Sequence, residues 1–213
     1  MTSTDSDRFD PHPSHESLVA EGDLTGERNQ NPPGMSLLEL WAEDLRTHGG
    51  SPLEPGFWAV ATHRFGNWRM DVKPRLARAP LTLAYRAAYT AINWGWGIDL
   101  EYSVKLGRRV RLWHHGGMVL GARKIGDDVH IRHNVTLGVA HREAPEDKPV
   151  IEDRVDIGSG AAIVGDVRVG HDTVVGANSV VVRSFPPNTT LFGVPARPVG
   201  PAGAGARTRA DGT

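Results

Sequence analysis

From Ile151 to Pro186 the chain divides into six-residue blocks without an insertion, and few folds satisfy that constraint. Ile151, Ile157, Ile163, Val169, Val175 and Val181 open the blocks, while Val155, Ala161, Val167, Thr173, Ser179 and Phe185 hold the fifth place, none of them charged. A period of six matches neither the 3.6 of a helix nor the alternation of a plain strand. With glycine after the aliphatic residue at Gly158, Gly170 and Gly176, it is the signature of a hexapeptide β-helix. Each block makes one short strand and a corner, three blocks make a triangular coil, and stacked coils bury the aliphatic column. The expected fold class is therefore mainly β, a parallel β-helix.

The rhythm reaches upstream. Leu100, Leu106, Leu112 and Met118 keep register, one extra residue follows, and Ile125, Ile131 and Leu137 resume it. Fourteen residues separate Leu137 from Ile151 with no aliphatic opener midway, which predicts an exposed loop over 139–149. Polar loops on a rigid solenoid are places where function concentrates. Ahead of the β-helix, residues 1–33 have few large apolar side chains to offset the entropy of ordering and read as a disordered leader. Residues 34–97 read as a small α-helical cap. Ser36 and Glu39 form a capping box for a helix to about Arg46, Pro55 opens a second helix, and a third spans Leu81 to Ile92. The β-helix then occupies 98–200, and residues 201–213 read as a disordered tail.

Charge and composition exclude several classes. A net charge of −1 gives no basic surface for nucleic acid or an anionic membrane. The absence of cysteine removes disulfides, thiolate metal sites and a cysteine nucleophile together. The opening MTSTDSDRFD has no basic region followed by an apolar run, so it does not read as a secretory signal, and a cytoplasmic location is expected.

Several separate stretches then agree on one resemblance. LWHHGGMVLG, VTLG, the block-repeat segment and PPNTTLFGVPARPVG resemble the serine O-acetyltransferase branch of the hexapeptide-repeat acyltransferases, over roughly residues 55 to 200. The resemblance implies a left-handed parallel β-helix under a helical cap, acetyl-CoA as co-substrate with no metal, and a homotrimer or a dimer of trimers. It also implies a general-base histidine at His114, oriented by an aspartate fifteen residues earlier, Asp99. A carboxylate on one imidazole nitrogen fixes the tautomer and leaves the other to take the acceptor hydroxyl's proton. Thr136, Gly138, Ser159, Gly160 and Ala177 match places where the family lets the pantetheine arm approach the backbone, though glycines there also serve as coil corners. Arg183 and Arg197 suit the nucleotide phosphates on charge grounds.

The acceptor side departs from the pattern. Trp113 stands where serine-specific members have an aspartate, Asp147 and Lys148 replace an Arg-His pair, and an Asp-Pro aspartate ahead of the second cap helix has no counterpart near Gly50-Ser51-Pro52. Trp113, His115, His141 and Lys148 are the candidates left for the acceptor. The expected activity is acetyl transfer from acetyl-CoA to the hydroxyl of a small acceptor. The alternatives are a sugar or natural-product alcohol as acceptor, a non-catalytic trimeric scaffold, and a γ-type carbonic anhydrase using His130, His133 and His171. The family's docking to cysteine synthase uses a tail ending in isoleucine; this tail ends Ala-Asp-Gly-Thr, and no such complex is expected.

Overall fold

A computed structural model describes residues 26–202. Its centre is a three-faced parallel β-helix. The first face carries β1 (Ile98–Asp99), β4 (Met118–Leu120), β7 (Thr136–Gly138), β10 (Ala162–Val164) and β13 (Val180–Val181). The second carries β2 (Lys105–Leu106), β5 (Lys124–Ile125), β8 (Val150–Ile151) and β11 (Arg168–Val169). The third carries β3 (Arg111–Trp113), β6 (His130–Arg132), β9 (Asp156–Ile157), β12 (Val174–Val175), β14 (Thr189–Phe192) and the antiparallel β15 (Arg197–Pro201). This is the left-handed β-helix expected.

The block openers stack as the period requires: Ala162 and Ile163 lie over Val180 and Val181, and Ile157 lies over Val175. Every opener from Ile125 to Val181 is buried, and so are the fifth places, which small or medium side chains fill at Val155, Ala161, Val167, Thr173 and Ser179 and a ring fills at Phe185. The first coil differs from the expected phase. Ile98, not Leu100, lies in β1 and pairs with Met118.

The one-residue slip also resolves into two events. Leu112 pairs with Ile131, and Leu120 pairs with Leu137. The corner from Leu112 to Leu120 therefore advances eight residues where Ile131 to Leu137 advances six. The run from Leu120 to Ile125 is one residue short and restores the register below. Two extra residues thus widen the corner that holds His114.

The cap has three α-helices, α1 (Leu37–Thr47), α2 (Pro55–Trp68) and α3 (Arg75–Trp96), with a short 3-10 helix over Arg69–Asp71 after the second. Ser36 and Glu39 make the reciprocal capping box at α1, and Gly97, with φ 64°, ends α3. The third helix starts before the expected Leu81 and runs through Pro80. Residues around Pro80 face solvent, so water can bond the carbonyl its missing N–H would have met. Cap and β-helix meet at Arg64, which is fully buried. Its Nε donates to Asp44 at 3.1 Å, and its two terminal nitrogens donate to the carbonyls of Leu106 and Gly107.

The polar segment ahead of α1 is tethered over its described part, unlike the leader expected through residue 33. The Gln30 backbone N–H donates to Asn67, the Gln30 amide donates to the Ser103 carbonyl, and the Asn31 amide donates to the Arg64 carbonyl. Residues 1–25 of the expected leader, and the tail from 203 on, lie outside the described residues. Among those described, no helix is long and apolar enough to cross a membrane.

Candidate active site

His114 follows β3 at the corner between the third face and the first. Its backbone is left-handed, with φ 56°, and its ring is exposed. Gly116 and Gly117, both at positive φ, complete the widened corner. An added Cβ at Gly117 would collide with the Asn134 side chain of the next coil, so close packing of the two corners requires glycine there. The side chains of His114 and His115, on the rim of this corner, are exposed.

The other corners on this edge stack beneath it. Asn134 N–H donates to Gly116, Gly160 N–H to His133, and Asn178 N–H to Ser159, each at 2.9 to 3.0 Å. One edge of the prism thus carries His114, His133, Ser159, Gly160 and Ala177 in succession. The His114 and His133 rings meet edge to face with centroids 5.8 Å apart, and His133 Nδ1 is buried with no hydrogen-bond partner. Nothing in the period marks His133, because only stacking brings it under His114.

The glycines separate by what the fold asks of them. Gly160 has φ 72°, and a Cβ there would strike Asn178, so its identity is required by the corner. Gly138 ends β7, and a Cβ there would meet nothing within 4 Å. Its lack of a side chain serves no packing need; it leaves a bare backbone strip on the first face, of the kind a thin arm can lie against. Thr136 sits on the same strand. Arg183 follows β13 on this face, with its guanidinium over the Phe185 ring at 4.9 Å, and Arg197 opens β15 beside the last coil.

Asp99 lies on β1, one face along from His114. Tyr89 of α3 donates its hydroxyl to Asp99 Oδ1 at 2.5 Å. Burial and the bond to this carboxylate push the Tyr89 phenol up to about 12, so it remains a donor at neutral pH. Among the described residues no hydrogen bond joins Asp99 to His114.

The acceptor candidates do not all converge. Trp113 Nε1 donates to His130 Nδ1 at 3.3 Å, and the Arg111 guanidinium lies 3.5 Å from the Trp113 ring centroid. His115 is exposed beside His114. His141 and Lys148 belong to the 139–149 loop, which leaves between the first and second faces, a different edge of the prism from the one that carries His114. That loop is held by Arg123, buried to 2 % exposure, whose guanidinium donates to the Glu146 carbonyl. The three histidines considered for zinc are engaged apart: His130 with Trp113, His171 with Asp172, and His133 against His114.

A cavity of about 430 Å³ opens at the corner, lined by His48, Glu54, Arg111, Leu112, Trp113, His114 and His115. His48, Glu54 and Arg111 carry no repeat signal. They arrive from the end of α1, the start of α2 and the outer side of β3.

Comparison with known proteins gives one consistent answer. No family model matches the chain. A serine acetyltransferase of Mycobacterium tuberculosis is 35 % identical over 181 residues, spanning 84 % of this chain and 71 % of that protein. One from Salmonella typhimurium is 38 % identical over 149 residues, and there the chain spans only 52 % of the relative. Among solved structures, a Vibrio cholerae serine acetyltransferase superposes with a TM-score of 0.65 at 28 % identity, over 87 % of this chain and 79 % of that one. A serine acetyltransferase of Brucella abortus in complex with coenzyme A gives a TM-score of 0.65 at 27 % identity, over 90 % of this chain and 84 % of that one.

Proposed function

The chain belongs to the serine acetyltransferase family, and from that premise we propose that it transfers the acetyl group of acetyl-CoA to a small acceptor's hydroxyl, serine first, with His114 as general base. The observation that carries this reading is the outward His114 at the head of an edge whose neighbouring face presents the bare Gly138 strip. In a ternary complex the acceptor oxygen attacks the thioester carbonyl carbon, a C–O bond forms and the C–S bond breaks. The hydroxyl proton passes to a ring nitrogen of His114 and from there to the departing thiolate. Asp99, held by Tyr89 through one oxygen, keeps the other for orienting the imidazole. Thr136, Gly138, Ser159 and Ala177 line the path of the pantetheine arm, with Arg183 and Arg197 toward its phosphates. Gly160 contributes the corner. The functional unit is a homotrimer in the cytoplasm, with coenzyme A between neighbouring β-helices and the neighbour's 139–149 loop closing the site.

Thiol release from acetyl-CoA with serine tests the assignment. His114→Ala is expected to lower turnover by about 10²- to 10⁴-fold, the usual worth of positioned proton transfer, while coenzyme A still binds by calorimetry. Unchanged turnover in that variant would remove His114 from the mechanism.

A further inference from the structure

The family's amino-acid-binding positions are changed in this chain, yet the cavity at His114 contains two opposite charges that do not pair with each other. Glu54 is the N-cap of α2, and its carboxylate caps no helix N–H and makes no ion pair among the described residues. Arg111 points outward from β3 and has no carboxylate partner among the described residues; the Trp113 face holds its guanidinium instead. In β-structure, residues two apart share a side, which is why Arg111 and Trp113 meet while Leu112 between them is buried.

The placement of both charges is built in. Gly56 lets the first turn of α2 press onto β3: a Cβ there would lie 2.8 Å from the Leu112 carbonyl. His48, buried at the end of α1, donates from Nδ1 to the Asp44 carbonyl and accepts the Leu112 N–H at Nε2. Three elements are thereby locked around one opening, with a free anion on the helix side and a stacked cation on the strand side.

We propose that this cavity is the acceptor subsite and that it reads a zwitterion, Glu54 taking the ammonium and Arg111 the carboxylate of a free hydroxy amino acid. The inference rests on the acyl-transfer reading above and deepens it. The planar guanidinium fork offers a carboxylate two parallel hydrogen bonds, and stacking on Trp113 presents that fork already oriented. Trp113, standing where the family carries an aspartate, is then the positioning residue for a new carboxylate contact. The ammonium contact is supplied from the helix side by Glu54.

The test compares L-serine with serine methyl ester, which lacks the carboxylate charge, and N-acetylserine, which lacks the ammonium, in the full-length protein. The wild type is expected to prefer L-serine over both by about tenfold or more. Arg111→Gln raises KM for serine about tenfold with kcat little changed, and abolishes the preference over the methyl ester. Glu54→Gln does the same for the preference over N-acetylserine, and Glu54→Asp recovers part of it. Calorimetric binding of coenzyme A shows that each variant is folded. If serine is acetylated and both variants keep its KM and the full discrimination, the subsite assignment is overturned while acyl transfer stands. Turnover of uncharged alcohols alone would overturn the subsite in the same way. Absence of thiol release with every acceptor overturns the acyl-transfer reading itself, and this subsite with it.

Discussion

His63 sits in α2 with no exposure to solvent, its Nε2 donating to the Val104 carbonyl at 2.8 Å and its Nδ1 buried without a partner. Burial, helped by the neighbouring Arg64 charge, pushes its imidazole down to about 3. The unfolded chain titrates this histidine at its ordinary value near 6.5, so between about 6.5 and 3 only the unfolded state takes the proton. The stability His63 contributes is complete above pH 6.5 and declines on acidification through that window, by up to about 1.4 kcal/mol per pH unit. Urea unfolding at pH 7 and pH 5 should show a smaller loss for His63→Gln than for wild type; equal losses would exclude His63 as the source. The residues of the candidate site differ in how far the sequence alone exposes them. His114 and Asp99 are legible from motif position, because the family pattern fixes them along the chain. Glu54 and Arg111 are not, since each is an ordinary helix-start or strand residue until His48 and Gly56 bring their elements together. Gly138 and Gly160 look alike in sequence and separate only when the next coil is present.

At the scale of elements, the joint between cap and β-helix depends on a buried ion pair. Asp44 and Arg64 are both without side-chain exposure, and burial raises the Asp44 carboxyl against the attraction of the guanidinium. Arg64→Met leaves Asp44 buried without its cation and removes the donors to Leu106 and Gly107; a loss of about 3–5 kcal/mol in unfolding free energy is expected. Adding Asp44→Leu to that variant should recover part of the loss, since a matched apolar pair avoids the stranded charge. A loss below about 1 kcal/mol for the single variant would mean the cap is held by other contacts. The β-strands are readable from period because one buried residue recurs per block. The start of α3 is not, because Pro80 suggests a break that a solvent-facing turn tolerates, and the phase of the first coil is hidden by Leu100, which is buried without lying in a strand.

For the whole molecule, Leu76, Leu83 and Trp94 of α3 expose 86 %, 70 % and 86 % of their surface. Their spacings of seven and eleven residues put them on one side of the helix, an apolar stripe of the kind that marks an association surface. Sedimentation equilibrium is expected to give three times the 23.1 kDa of one chain, and a monomer at micromolar concentration would overturn the trimeric arrangement. The widened corner at His114 carries a different consequence. Because the short run before β5 cancels one of the two inserted residues and Ile125 still pairs with Leu106 and Ile151, the coils below keep their register whatever happens at that corner. The scaffold behaves there like a bound book with one replaceable page: the segment that carries the candidate site residues between Leu112 and Ile125 can be lengthened, shortened or exchanged without repagination of the core. Such insulation lets an old fold acquire a new substrate preference in small steps, each remaining fully folded.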